Sequence, residues 1–277
     1  MVIKMFFLVM LFLLSGGSAE VVTDFQKACG GFFKNGISPT VLPGTQYKQI
    51  CQTLDNQAYY ATLYDTENKI PVYSAYVFEG KMGCDRSDKW YIEPQLDVLD
   101  NSKKNMESGS NIPLINQASN ADYANSEFDK GHLAPVRQAN SQECAYATFT
   151  LTNAAPQNPS FNRGKWNKLE KDMVNMVTSH CRMETAHIVT GVVPSVNNKK
   201  IINNRVNVPS HFWTAYCCHH ITSNQLSSGG AIGENIKTET PPEQMTVRGL
   251  EQELTKYYGV SFILFDNNCR DANHVAF

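Results

Sequence analysis

The run Phe128-Asp129-Lys130-Gly131-His132-Leu133-Ala134-Pro135 is followed at fixed distances by three polar residues. Asn153 lies twenty-one residues after His132, Asn162 nine further on, and Glu170 eight beyond that. A histidine, a carboxamide, a carboxylate and a cation are the minimum set for metal-assisted attack on a phosphodiester. The imidazole is a base near neutrality, and the Asn oxygen is a hard, neutral ligand that leaves Mg²⁺ most of its charge.

The flanking pattern says how such a site is framed. From about Asn162 to His180 the apolar residues Trp166, Leu169, Met173, Met176 and Val177 recur at three- and four-residue intervals, the mark of a helix with one buried face. Tyr59–Leu63 and Val72–Phe78 are rich in β-branched and aromatic residues and read as a hairpin across 65–69. Ala145–Leu151, Ile188–Val193, Val206–Tyr216 and Val260–Phe265 read as further strands. Met245–Tyr258 reads as a helix with Val247, Leu250, Leu254 and Tyr257 inward, and the polar stretch Asn101–Asn125 as a long surface loop. Asn153–Phe161, with two prolines, reads as a loop. Strands dominate with helices packed on them: α+β, with a central mainly antiparallel or mixed sheet flanked by helices.

Met5–Leu14 is an unbroken apolar run preceded by Lys4 and followed by Ser15-Gly16-Gly17-Ser18-Ala19. It is too short to cross a bilayer as a helix but fits a secretory signal, with cleavage before Glu20. The expectation is a leader over 1–19, one domain over 20–277, and an exported protein with no membrane span. Eight cysteines in an exported chain read as disulfides, of undetermined connectivity. Cys217 and Cys218, adjacent in a strand, should find partners on opposite faces. A zinc site in Cys217-Cys218-His219-His220 ranks well below that, because four consecutive residues cannot readily wrap one tetrahedral ion.

The formal net charge is −2, so the chain as a whole has no attraction for a polyanion. Between Phe128 and Lys171, however, Lys130, Arg137, Arg163, Lys165, Lys168 and Lys171 face only Asp129, Glu143 and Glu170. A basic site in an acidic molecule suits a phosphate substrate held without tight non-specific adhesion.

Asp129-Lys130-Gly131-His132, Asn153 and the run Asn162-Arg163-Gly164-Lys165-Trp166-Asn167-Lys168-Leu169-Glu170 resemble the DNA/RNA non-specific endonuclease family. These are the ββα-metal (His-Me finger) nucleases, which include endonuclease G and the secreted nuclease of Serratia. The likeness extends from about Tyr47 to the C-terminus and is nearest to the secreted endonuclease domain-containing 1 branch. It implies a ββα-metal fold and a Mg²⁺-dependent (or Mn²⁺-dependent) endonuclease acting on DNA, RNA or both with little sequence preference.

In that reading His132 is the general base and Asn162 the metal ligand. Glu170 anchors the ion's hydration shell, Lys130 stabilises phosphate charge, and Asn153 orients ligands or substrate. Arg86, Arg163 and Lys165 are candidate phosphate contacts. Each has a plainer rival: Asn162 as a helix N-cap, Glu170 paired with Lys165 or Lys171, Asn153 as a turn residue, Arg86 paired with Asp85 or Asp88. The family carries Arg where this chain has Lys130, which keeps the charge and loses the planar fork. That departure supports the alternative of a catalytically weakened, nuclease-like fold acting as an extracellular binding protein.

Overall fold

The computed structural model describes residues 20–98, 102–109, 112–196 and 199–277. The expected leader, 1–19, lies outside the described residues. Eleven strands are used here: β1 (Glu20–Val22), β2 (Tyr47–Leu54), β3 (Gln57–Asp65), β4 (Ile70–Phe78), β5 (Asp129–His132), β6 (Ala154–Gln157), β7 (Ala186–Val193), β8 (His211–His219), β9 (Leu226–Glu234), β10 (Glu243–Met245) and β11 (Asn273–His274). A nine-stranded sheet runs β1-β2-β3-β4-β7-β8-β9-β10, with β11 added to β9. Every pairing in it is antiparallel except β9 with β11. β5 and β6 form a separate antiparallel ribbon.

The expected hairpin is β3–β4, and its turn is built by one side chain. Asp65 accepts from the backbone N–H groups of Glu67 and Asn68 and from the Asn68 amide. Lys69 closes the turn with a positive φ of 57°. The central strands β4, β7 and β8 are buried along nearly their whole length, because both sheet faces are covered. Gly191 in β7 allows this: a Cβ there would meet the Trp213 ring at 2.2 Å and the Val72 carbonyl at 2.4 Å.

One face packs on helix 247–258, through Val247, Leu250 and Leu254. The other packs on helix 167–180, through Met173, Val174, Met176 and Val177. This second helix continues a turn at Pro159–Phe161 through a π-helical segment, Asn162–Trp166. Asn158, not Asn162, is the N-cap, accepting from Ser160 and Phe161 with Pro159 at the first helical position.

Three disulfides staple the fold. Cys29–Cys51 ties the N-terminal segment to β2. Cys181–Cys218 ties the end of helix 167–180 to β8, and Cys217–Cys269 ties the opposite face of β8 to the C-terminal helix Asn267–Arg270. The adjacent pair therefore finds different partners on opposite faces, and both sulfurs are unavailable to zinc. The expectation that all eight cysteines are bonded is not met: Cys84 and Cys144 are unpaired.

Six element readings change. Val206–Tyr216 is not one strand: Val206–Asn207 pairs with Ile201–Ile202, and His211–His219 joins the main sheet. Ala145–Leu151 is not a strand: Gln142–Ala147 is a short helix, capped by Ser141 accepting from Cys144 N–H. The prolines of 153–161 conceal strand β6, which pairs with β5 through an edge where Pro156 needs no donor. Part of 101–125 is also ordered, with a helix at Asn120–Ala124 closed by a Ser119–Asp122 capping box. Val260–Phe265 buries Phe262, Leu264 and Phe265 but makes no ladder. The N–H groups of Phe262, Ile263 and Leu264 donate to Thr255, Thr40 and Glu251 side chains instead. Tyr257 points outward and packs against His211 with ring centres 4.8 Å apart, rather than joining the core.

Candidate active site

The ribbon β5–β6 carries the first half of the site. Its register sets Gly131 opposite Ala155 and His132 opposite Ala154. Gly131 has no alternative there, since a Cβ would meet Gln157 Oε1 at 2.3 Å and Gln157 Cβ at 2.6 Å. Immediately after His132 the backbone is locked by Asn153. The Asn153 carbonyl accepts from Leu133 N–H at 2.9 Å. Its side-chain oxygen accepts from Ala134 N–H and the Ser74 hydroxyl, both at 2.9 Å. Its amide nitrogen donates to the carbonyls of Ala134 and Thr148. Asn153 is wholly buried and its hydrogen-bonding capacity is filled. It positions the loop that follows the histidine and does not itself line the cavity beside His132.

The His132 ring packs against two aromatic rings that also touch each other, Phe149 at 4.7 Å edge-on and Trp90 at 5.0 Å. Its Nε2 is buried without a hydrogen-bond partner. Burial, with the Arg86 and Lys130 charges adding to it, pushes its pKa down to about 3. The imidazole is therefore neutral at physiological pH. Lys130 sits over aromatic faces, 4.8 Å from the Trp90 ring centre and 5.8 Å from that of Tyr123. Burial lowers its pKa below the ordinary lysine value.

Helix 159–180 carries the second half. Residues Asn162, Arg163, Asn167 and Glu170 face His132, Lys130, Arg86 and Arg137 across a cavity of about 610 Å³, walled also by Trp90, Tyr123 and Phe128. Asp129 organises its mouth. The carboxylate accepts from Asn162 Nδ2 at 2.9 Å, from Arg163 Nε at 2.9 Å and from Arg163 Nη2 at 2.6 Å. Because a carboxylate only accepts, this contact fixes which way the Asn162 amide turns, and Oδ1 is the atom left for a cation. A hard carbonyl oxygen with Glu170 in the same cavity fits a Mg²⁺ that keeps most of its waters. Among the described residues no group of three or more His, Cys, Asp or Glu is placed to hold a metal.

Burial pushes the Glu170 carboxyl up to about 7, against the pull of Arg137, the Trp166 indole and Arg86. It pairs with neither Lys165 nor Lys171. Lys165 leaves the site altogether: it bonds Glu239 at 3.1 Å and does not line the cavity. Arg163 lines the cavity, but its charge is balanced by Asp129. Arg86 stacks 5.2 Å over Phe149 at the rim, not on Asp85 or Asp88. Sequence reasoning weighed Arg137 only as part of the local charge and passed over Trp90, Tyr123, Phe128 and Asn167. Arg137 donates to Asn167 Oδ1 at 3.1 Å, closing one wall. Its position five residues after His132, within the same loop, was the available signal.

A ribbon ending in a histidine and crossed by a helix bearing an asparagine and a glutamate is the ββα-metal arrangement. The family profile described as DNA/RNA non-specific endonuclease matches residues 39–272. The chain belongs to that family. It is 32% identical over 251 residues to the human (Homo sapiens) Endonuclease domain-containing 1 protein, covering 87% of this chain and 47% of that protein. It is 34% identical over 113 residues to human mitochondrial Endonuclease G, covering 37% of each. The chain thus spans less than half the length of these relatives. A crystal structure of an EndoG/EndoGI complex superposes with a TM-score of 0.56 at 23% identity, covering 78% of this chain and 87% of that one. The likeness is one of fold.

Proposed function

We propose that this chain is an exported, Mg²⁺-dependent (or Mn²⁺-dependent) endonuclease that hydrolyses phosphodiesters of DNA, RNA or both with little sequence preference. The observation that carries the reading is the single cavity shared by His132, Lys130, Asn162 and Glu170. His132 is neutral and half-buried against two rings, so the unprotonated form that a general base needs is present, and the negative charge of a bound phosphate would raise its basicity from the low value that burial sets. Asn162 would hold the ion, and Glu170 would anchor its hydration shell. Bound there, Mg²⁺ supplies positive charge to the phosphate oxygens as the phosphorane develops. Lys130, Arg86 and Arg137 add donors around the same space, and Asp129 keeps Asn162 turned for its task. Contacts of this kind reach phosphate and sugar, which carry no base identity.

A plasmid-nicking assay on the oxidised protein tests this. Cleavage should require Mg²⁺ or Mn²⁺ and stop in excess EDTA. His132→Ala should lower the rate by roughly 10²–10⁴ with nucleic-acid binding kept. Undiminished cleavage under chelation would rule out the metal, and a wild-type rate in the variant would rule out the base. Binding without cleavage in any metal would favour the second reading, a nuclease-like binding protein. The contact that favours it is Lys130, held against two rings where the family has an arginine.

A further inference from the structure

We infer that Cys84 and Cys144 form a fourth, reversible disulfide that fastens the Arg86 segment over the mouth of the cavity. The two thiols are the unpaired ones among eight cysteines, and both are half-buried. The chain segments that carry them are already clipped together. The Asn140 amide donates to Glu79, Met82 N–H donates to the Ala139 carbonyl at 3.1 Å, and Gln142 makes two bonds to Asp85. In that last pair Asp85 N–H donates to Gln142 Oε1 at 2.9 Å, and Gln142 Nε2 donates to the Asp85 carbonyl at 3.0 Å. Cys84 is the residue before Asp85 and Cys144 lies two after Gln142, so the clips hold the two cysteine-bearing segments side by side. Burial raises the Cys144 thiol to about 11, and the nearby Cys84 adds to that.

The reaction needs an oxidant of the small-molecule disulfide class, such as oxidised glutathione. Cys144 is held protonated, so Cys84 attacks first. Its thiolate breaks the glutathione S–S bond, forms a mixed disulfide and releases one glutathione thiolate. Cys144 then gives its proton to solvent, and its sulfur displaces the second glutathione from Cys84. Two protein thiols lose two electrons, and one glutathione disulfide becomes two glutathione thiols carrying the two protons.

The consequence falls on the cavity. Arg86 is two residues from Cys84, and it stacks on Phe149, which packs against the His132 ring. A bond at Cys84 limits how far Arg86 can swing from that rim. Oxidation should therefore strengthen nucleic-acid binding, a step that rests on the function proposed above.

The test uses the full chain with its three other disulfides intact. Samples are equilibrated in buffers of differing reduced-to-oxidised glutathione ratio, alkylated, and digested without reduction for mass spectrometry. A Cys84–Cys144 linked peptide should appear as the buffer becomes oxidising, while the other three bonds persist throughout. Alkylated Cys84 and Cys144 in every buffer would overturn the bond. Affinity for a short fluorescent duplex, measured in EDTA, should be several-fold tighter in the oxidised state. That difference should vanish in Cys84→Ser and in Arg86→Ala. Equal affinity in the two states would overturn the role at the rim. A protein that neither binds nor cleaves would refute the nuclease reading, while the linked peptide still decides the bond.

Discussion

At the scale of single residues, the two conspicuous asparagines have opposite fates. Asn162 lines the cavity and gives its amide N–H to Asp129, while Asn153 commits its side chain to the backbone around Ala134 and Thr148 and to the Ser74 hydroxyl. Sequence spacing can show that both belong to the site and cannot show which way a carboxamide turns. Asn153→Ala would leave two buried carbonyls and the Ala134 N–H without partners, at about 1–3 kcal/mol each. We expect a fall in melting temperature of many degrees and a lost rate that tracks unfolding. An Asn153→Ala variant of native stability but reduced kcat would return Asn153 to the chemistry. Lys130 behaves differently. Its neighbours Trp90 and Tyr123 present flat faces, on which a guanidinium also stacks. Lys130→Arg should therefore fit, and the fork can bridge two phosphate oxygens as their charge grows. A raised kcat with a smaller change in substrate affinity is the expected result; an unchanged or reduced kcat would show that the pocket is fitted to lysine.

Elements were legible where their period was strong. Helix 167–180 shows its buried face in Leu169, Met173, Met176 and Val177, and β3–β4 shows its turn in Asp65. Strand β9 was missed because Ser227-Ser228-Gly229-Gly230 has little β propensity. The glycines are required by what lies above them: a Cβ on Gly230 would meet Leu250 at 2.7 Å, and one on Gly229 the Val275 carbonyl at 2.8 Å. The π-segment Asn162–Trp166 was likewise hidden, since every residue in it could equally sit in an α-helix. Such segments recur at functional sites, and this one begins on the metal-ligand candidate. The ribbon β5–β6 offers the sharpest test of an element. Gly131→Ala would drive a Cβ into Gln157 Cβ at 2.6 Å, which a rotamer change cannot relieve because that atom is fixed to the backbone. The strands must part, carrying His132 away from Asn162. Activity should drop at least tenfold with a destabilisation of about 1–3 kcal/mol, the usual cost of overpacking. Native activity in Gly131→Ala, measured beside its unfolding curve, would show that the ribbon tolerates separation.

Across the whole molecule, buried titratable groups away from the cavity set how stability depends on pH. Glu93 is 3% exposed, lies against Gln117 through backbone contacts, and is pushed by burial up to about 8. His187 is pushed down to about 4, also by burial. The signs are opposite. Between the unfolded glutamate value of 4.5 and the folded value near 8, the folded chain binds the extra proton, so stability falls as pH rises through that window. Between 6.5 and about 4 the unfolded chain binds the extra proton on His187, so stability falls as pH drops. Glu93→Gln isolates the first effect, because an amide cannot titrate and nearly keeps the shape. The melting-temperature difference between variant and parent should be small near pH 4.5, widen in the variant's favour up to about pH 8, and then stay constant. A difference that does not change with pH would mean that Glu93 finds a compensating partner when it ionises. The buried carboxyl would then be a satisfied polar group, and the loss of stability with rising pH would rest on the other raised carboxyls, Glu170 at about 7 and Glu251.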